Sequence, residues 1–240
     1  MFFTGRSTKA QPKEGGGTFP PPDWGGALYP IPKILNYGLE IDFESKKIEA
    51  KESSKLFKID KNERLYDVFR NRLIFPIASR RKKIVGFGGR VLDDADQPKY
   101  LNTPESEVFK KSRELYGLPN VLKRSSRPSQ ILVVEGYMDV LACFSFDLPI
   151  AVATLGIATN KFHLDTLFQK TDEVIFCFDG DGAGVKAAES ALNISLSGLR
   201  DGKKIKFMFL PEGEDPSSLL EKEGKEEFEK RIENSKVLSE

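Results

Sequence analysis

The chain has 240 residues, of which 39% are hydrophobic and 30% are charged, which is enough for one large domain or two modest ones. There is no apolar run of about 18 residues, and the N-terminus has no apolar core of the kind that secretion signals carry, so we expect no membrane association. Two cysteines and one histidine, His163, nearly exclude a Cys/His zinc site, and both cysteines are expected to be buried thiols.

The net charge of +1 conceals an uneven distribution along the chain. Residues 1–130 hold 25 Lys and Arg against 16 Asp and Glu, whereas residues 131–240 hold 12 against 20. Ordinary solvated surface charge can be distributed in this way. A basic half joined to an acidic half also suits an enzyme that holds a polyanion on one part and divalent cations on the other.

The first half of the chain predicts an arm followed by short strands. Residues 1–27 are rich in glycine and proline and lack hydrophobic periodicity, which is typical of a loosely ordered arm. RLIFPI (72–77) and KIVGFGGRVL (83–92) predict strands, and Pro76 favours an edge position. SEVFKKSRELYG (106–117) has the spacing of a short helix that ends at Gly117.

After Pro128 the pattern changes to buried strands alternating with helices. Four short apolar segments without alternation predict strands buried on both faces: ILVV (131–134), PIAVAT (149–154), EVIFCF (173–178) and KIKFMFL (204–210). Helical spacing occupies residues 136–146, 160–170 and 183–200, and residues 216–235 predict one or two charged helices. The order predicts an α/β fold with a parallel sheet at 129–215, preceded by a basic α+β subdomain at 28–128 and followed by a helical extension at 216–240.

Carboxylates follow three of the four predicted strands. Glu135 follows the first, Asp179 and Asp181 follow the third, and Asp215 lies shortly after the fourth. Because ligands bind at the carboxyl ends of parallel strands, we expect these side chains at one edge, with Asp179 and Asp181 pointing the same way. Acidic turns that only aid solubility are the simpler alternative. An EF-hand calcium loop is a poor alternative, because Ser190 stands where that loop needs a bidentate glutamate.

Such a carboxylate edge suits Mg²⁺ or Mn²⁺, because both prefer hard oxygen ligands and the cluster would otherwise repel itself. Two metal ions at one edge can stabilise the attacking and leaving oxygens of phosphoryl or nucleotidyl transfer. Spacing alone does not separate a polymerase from a nuclease or a phosphohydrolase.

Several motifs resemble a known family. VVEGYMDV, FCFDGDGAGVKAA and LPEGEDP resemble the TOPRIM domain that bacterial primases, topoisomerases and certain nucleases share. YDVFRNRLIFPI, IVGFGGRV, PKYLNTPES and FKKSRELYGL resemble the N-terminal subdomain of the bacterial replicative, DnaG-type primase core. The motifs occur in the family's order between about residues 65 and 224, with a weaker match from Lys33.

The resemblance implies template-directed synthesis of short RNA primers on single-stranded DNA from ribonucleoside triphosphates. It implies a metal site of Glu135, Asp179, Asp181 and Asp215, of which the first three are catalytic. It also implies a basic surface for template, nucleotide or primer, formed by Arg70, Arg72, Arg90, Lys99, Asn102, Lys111 and Arg113. Forked guanidinium groups at Arg70 and Arg72, two apart in a strand-like stretch, would present one face to phosphates.

The sequence departs from the family pattern in three places. Gly182 stands where an arginine is common, Ser217 where a further aspartate is common, and Ile157 where a threonine is usual. We expect an active enzyme with altered metal or nucleotide affinity. The rival hypotheses are a TOPRIM nuclease and a catalytically silent nucleic-acid-binding module; a topoisomerase would need a tyrosine-bearing domain for which the chain has no room.

Modules of the family are also absent from the sequence. Two cysteines and one histidine cannot build the zinc-ribbon module, so no zinc is expected, and the chain ends before a helicase-docking module. The chain is therefore interpreted as an isolated catalytic core. It would reach the replicative helicase only through the absent module, with a cytoplasmic location at the replication fork.

Overall fold

The computed structural model describes residues 55–59, 61–62, 65–93, 95–198 and 201–237. The arm predicted at residues 1–27, and most of the segment that follows it up to residue 54, lie outside these ranges. Within them, no helix is both long enough and apolar enough to cross a membrane.

The basic part of the chain forms two small antiparallel sheets. Strands β1 (Phe57–Ile59) and β2 (Leu65–Asp67) pair with each other, and β3 (Arg72–Ala78), β4 (Ile84–Val91) and β5 (Tyr100–Asn102) form a second sheet in that order. The two strands predicted at 72–77 and 83–92 are confirmed. Pro76 lies on β3, an edge strand of its sheet. An edge strand tolerates a proline, which lacks the backbone N–H, because one of its sides has no partner strand.

The helix predicted at 106–117 is wrong. These residues form turns and extended backbone, and the helix α1 (Leu118–Arg124) begins only after Gly117, whose φ is 84°. Non-local partners satisfy the backbone of the segment instead. The Lys111 N–H donates to the Glu105 carboxylate at 3.1 Å, and Tyr116 exchanges backbone hydrogen bonds with Ala153. Tertiary contacts therefore override the helical spacing.

The second half of the chain forms a five-stranded sheet. It consists of β6 (Gln130–Val134), β7 (Ala151–Ala153), β8 (Glu173–Phe178), β9 (Lys204–Phe209) and β10 (Lys236–Val237), in the order β10-β9-β8-β6-β7. The first four strands are parallel, which confirms the predicted sheet, and β10 adds an antiparallel edge that the sequence analysis did not anticipate. The strands β6, β7 and β8 are buried on both faces, which explains their unalternating apolar sequences, whereas β9 exposes Lys204 and Phe209 at its two ends.

Helices cover both faces of this sheet. The helices α2 (Tyr137–Ser145) and α5 (Pro216–Glu233) contribute to the core on one face, and α1, α3 (Lys161–Phe168) and α4 (Gly182–Gly198) contribute to the core on the other. All the helices predicted after Pro128 are confirmed. Gly224, with φ 79°, interrupts α5 and divides it into two helical segments.

The antiparallel sheet β3-β4-β5 and the parallel sheet share one core through aromatic side chains. Phe75 of β3 stacks on Tyr137 of α2, with ring centroids 4.9 Å apart and planes 4° from parallel. The Tyr116 ring meets the same tyrosine edge-on at 4.7 Å. A Cβ placed on Gly88 of β4 would lie 2.5 Å from Tyr137 Cζ, so glycine is required for this close packing.

The two edges of the five-stranded sheet end differently. Tyr116 forms an antiparallel bridge with Ala153 of β7, and its N–H and C=O make bonds of 2.9 and 3.0 Å. The opposite edge is the two-residue strand β10.

Candidate active site

Three neighbouring strands bring carboxylates to one edge of the sheet. β6, β8 and β9 are adjacent and parallel, so Glu135, Asp179 and the loop to Asp215 leave the sheet at the same end. The Asp179 N–H points towards Glu135 Oε1 at a distance of 3.4 Å.

Glycines allow the loops at this edge to touch. The Gly180 N–H donates to the Glu214 carbonyl, and the Gly213 N–H donates to the Gly180 carbonyl, both at 3.0 Å. A Cβ on Gly180 would lie 1.8 Å from the Pro211 carbonyl oxygen, which is impossible without moving backbone. By contrast, a Cβ on Gly182 would meet nothing within 4 Å. Gly180 therefore fixes the loop that carries Asp215 against the loop that carries Asp179.

Asp179 is the most strongly perturbed acid of the edge. Burial, followed by the charges of Glu135, Asp139, Asp215 and Asp181, raises its pKa to about 7. Its Oδ1 atom is buried and has no hydrogen-bond partner. Burial also raises the pKa of Glu135. A half-buried carboxylate with a buried, unpartnered oxygen among other acids is a position that a cation would stabilise.

Asp139 belongs to the same cluster and was missed by the sequence analysis. It is buried in the first turn of α2, and its Oδ2 accepts a 2.8 Å hydrogen bond from the Gly136 N–H. Burial, opposed by that bond and reinforced by Asp215 and Glu135, raises its pKa to about 6. The only local signal in the sequence is its place three residues after Gly136, in the first turn of a helix, where an acid is favourable.

Asp181 and Asp215 have their carboxylates engaged at helix N-termini. Asp181 Oδ1 accepts from the Gly184 N–H at 2.8 Å, and Asp215 Oδ1 accepts from the Ser218 N–H at 2.7 Å. Within the part of the chain that the structure describes, no three Asp, Glu, His or Cys side chains are already arranged to hold a metal ion. The donor set nevertheless fits a divalent cation, because its ligands are carboxylate oxygens and one of them is buried without a partner.

Arg70 and Arg72 occupy different environments and do not share a strand face as expected. Arg70 lies in the turn before β3, exposed, with its Cζ 5.0 Å from the centroid of the Tyr66 ring. Asn71, with φ 51°, separates it from Arg72, which is 9% exposed and donates from Nη1 to the Pro98 carbonyl at 2.7 Å. Both arginines line a groove of about 450 Å³.

The remaining predicted contact residues also differ in availability. Lys99 is exposed, and Arg90 Cζ lies 5.8 Å from the centroid of the Tyr100 ring. The Asn102 side chain is already engaged, because its Oδ1 accepts from the Tyr137 hydroxyl at 2.5 Å and its Nδ2 donates to the Leu155 carbonyl at 3.0 Å.

Lys111 and Arg113 lie in the segment that forms turns instead of the predicted helix. Arg113 is exposed, and the Lys111 carbonyl accepts a 3.1 Å hydrogen bond from Nε2 of His163. His163 is fully buried, and burial lowers its pKa. The one histidine of the chain thus holds this segment in place.

Known proteins match both halves of the chain. Residues 35–122 match the family described as DNA primase catalytic core, N-terminal domain, and residues 132–220 match the family described as Toprim-like. The DNA primase of Escherichia coli is 51% identical over 176 residues, which are 73% of this chain and 30% of that protein. The chain therefore spans about 30% of the length of that curated relative.

Solved structures agree with these matches. A DNA primase domain from Pseudomonas aeruginosa has a TM-score of 0.78 and 46% identity, covering 82% of this chain and 61% of that one. A DnaG primase catalytic domain bound to single-stranded DNA has a TM-score of 0.78 and 45% identity, covering 82% of this chain and 63% of that one. The chain belongs to the family of DnaG-type DNA primase catalytic cores that contain a TOPRIM domain.

Proposed function

We propose that this chain synthesises short RNA primers on a single-stranded DNA template by nucleotidyl transfer at the acidic edge. Glu135, Asp179, Asp181 and Asp215 are the proposed ligands of Mg²⁺ or Mn²⁺, and the first three are the proposed catalytic residues. The bound ions would supply charge stabilisation to the attacking and leaving oxygens. Asp139, buried beside them, is a further candidate for positioning Glu135.

The observation that carries the proposal is the state of Asp179. Its buried oxygen lacks a partner and its pKa is raised to about 7, in a cluster built from the ends of three adjacent strands. A carboxylate in this state costs stability unless a cation neutralises it, and such perturbed groups concentrate at functional sites. A cation binding there would also compete with the capping bonds of Asp181 and Asp215 for their oxygens.

The basic residues have proposed roles that follow from their surroundings. Exposed Lys99 and Arg113 and half-buried Arg90 can contact phosphates directly, and Arg70 and Arg72 can do so from the groove that they line. Asn102 would contact sugar or phosphate only after giving up a bond to Tyr137 or Leu155. The proposed ligands are the template, ribonucleoside triphosphates and the nascent primer, and the proposed place of action is the cytoplasmic replication fork.

The test is incorporation of radiolabelled ribonucleotides on single-stranded DNA, with Mg²⁺ and then with Mn²⁺. Asp179→Ala and Asp181→Ala should abolish synthesis while the protein stays folded. Asp201→Asn is the matched control, because this exposed acid precedes β9 at the opposite end of the sheet. Synthesis by either acidic-edge variant at the parent's rate would contradict the assignment.

A catalytically silent nucleic-acid-binding module is the second candidate, which Gly182 and Ser217 favour because each replaces a charged residue common in the family. That candidate predicts binding of single-stranded DNA without metal-dependent incorporation. A nuclease, the third outcome of the same assay, would shorten the labelled DNA in the presence of the metal.

A further inference from the structure

An exposed aromatic ring lies between two arginines outside the residues assigned above to the acidic edge. Phe162, in the first turn of α3, is 40% exposed. Arg80 Cζ lies 5.8 Å from its ring centroid, and Arg113 Cζ lies 5.7 Å from it. We call Phe162, Arg80 and Arg113 the aromatic platform.

Hydrogen bonds between distant segments hold the platform together. Asn160 Nδ2 donates to the Ser112 carbonyl at 3.2 Å, and buried His163 donates from Nε2 to the Lys111 carbonyl at 3.1 Å. These two bonds fix the start of α3 against the segment that carries Arg113. Arg80 comes from the turn between β3 and β4, which Ser79 closes with 2.8 Å backbone bonds to Lys82 and Lys83.

The three segments that form the aromatic platform are rich in positive charge. Residues 80–83, 110–113 and 160–163 contain eight Lys or Arg and no Asp or Glu. Arg80, Arg81, Lys82, Lys83 and Lys161 are all exposed. Burial raises the pKa of nearby Glu114, and Arg80 opposes that rise, so one half-buried acid offsets part of this charge.

We propose that the aromatic platform is a stacking site for one base of a single nucleic-acid strand, whose phosphates Arg80 and Arg113 contact. Single-strand sites combine a basic surface with aromatic or guanidinium planes on which bases stack. The Arg–Phe–Arg arrangement offers both kinds of plane, and a base can replace one guanidinium over the ring. Because every base has a planar face, the site accepts a strand without reading its sequence.

The site rests on the proposed function for its biological meaning, since it includes Arg113 of the proposed basic surface. Its occupant is either the DNA template or the nascent RNA, which offer the same chemistry of stacked bases and phosphates. Its test is separated from catalysis, because binding is measured in EDTA without nucleotides.

The experiment measures binding of fluorescently labelled oligo(dT) and oligo(U) by anisotropy. Phe162→Leu keeps apolar volume and removes the ring, and its dissociation constant should rise about fivefold or more. Phe209→Leu is the matched control, because Phe209 is 54% exposed on β9 and no guanidinium–ring contact involves it within the described residues. An abasic strand of equal length should bind the parent and Phe162→Leu alike.

A second variant tests directly whether the strand contacts the ring at position 162. Phe162→Trp should bind as well as the parent, and its added fluorescence should be quenched by the strand, whereas that of Phe209→Trp should not. Arg80→Gln should lower the slope of log affinity against log salt by about 0.7. A larger loss with oligo(dT) identifies the template as occupant, and a larger loss with oligo(U) identifies the RNA.

Two outcomes overturn the proposal. The first is equal strand binding by the parent and Phe162→Leu together with an unquenched Phe162→Trp. The second is the absence of strand binding by the parent itself. Synthesis that survives in Asp179→Ala would instead overturn the proposed function, and it would leave the binding result unaffected.

Discussion

The two halves of this primase core differ in how their charged side chains are distributed. In the first half, most cations lie at exposed or half-buried positions, and some pack on aromatic rings, as Arg70 does on Tyr66 and Arg90 on Tyr100. At the edge of the parallel sheet, acids are gathered and partly buried, and the pKa of Asp179 rises to about 7. A spread of exposed cations can hold a long polyanion, whereas gathered acids concentrate charge at one point. The basic half therefore suits binding of a polyanion, and the acidic edge suits metal-assisted chemistry.

The largest loss of activity is expected at a glycine of the acidic edge. Gly180→Ala should reduce primer synthesis by about a hundredfold or more, because its Cβ would displace the Pro211 backbone and with it the loop of Asp215. Gly182→Ala is the control, since its Cβ has open space. Incorporation assays measure both. Similar activities for the two variants would mean that the spacing of these loops does not matter for synthesis.

Within the basic half, the two arginines of the groove should differ in their effect on stability. Arg72→Ala should destabilise the fold by about 1–3 kcal/mol, because it leaves the Pro98 carbonyl without its charged donor. Arg70→Ala should leave stability almost unchanged and weaken strand binding, with a slope against log salt that is lower by about 0.7. Urea denaturation and binding titrations separate these effects. Equal stability losses would show that Arg70 is also structural.

The hydrogen bond between the two halves should contribute less to the free energy of unfolding than Arg72 does. Tyr137→Phe removes the hydroxyl that donates to Asn102 and should cost about 1 kcal/mol of unfolding free energy. The stacking on Phe75 is preserved in this variant. A double-mutant cycle with Asn102→Ala measures the coupling, and additive effects of the two changes would show that the hydrogen bond contributes nothing.

The stability of the metal-free protein should also depend on pH. The folded-state pKa of Asp179 is raised from 3.8 to about 7. The contribution of this carboxyl group to the free energy of unfolding is therefore fully present below pH about 4 and is lost as the pH rises towards 7. Asp179→Asn should therefore gain thermal stability over the parent at pH 8 and show little gain at pH 4. Melting curves in EDTA test the sign, and a difference that shrinks as pH rises would contradict it.

The sequence predicted the parallel sheet well because strands buried on both faces must be apolar throughout. It failed at residues 106–117, where the fully buried Phe109 and the bridge of Tyr116 to Ala153 depend on partners remote in the chain. The short helix α1 was missed because Pro119 and seven residues give little periodicity.

In the candidate site, too, the residues that were predicted could be recognised from local sequence, and those that were missed depend on contacts made in the fold. The acids were found because strand ends are visible in a sequence. Asp139 was missed because its importance depends on how α2 turns back over Glu135, and the burial of Arg72 depends on a carbonyl 26 residues away. The roles of all these residues in catalysis and binding stay predictions.

The ends of the five-stranded sheet have a consequence for the behaviour of the protein at high concentration. β7 is Ala-Val-Ala, fully buried and without charge, and an open edge of this kind would recruit strands from other molecules. Tyr116 occupies part of that edge with two backbone bonds, while the far edge, up to residue 237, is formed by the strand Lys236–Val237 with its exposed lysine. The segment before α1 thus covers part of an edge that would otherwise be open to intermolecular strand pairing.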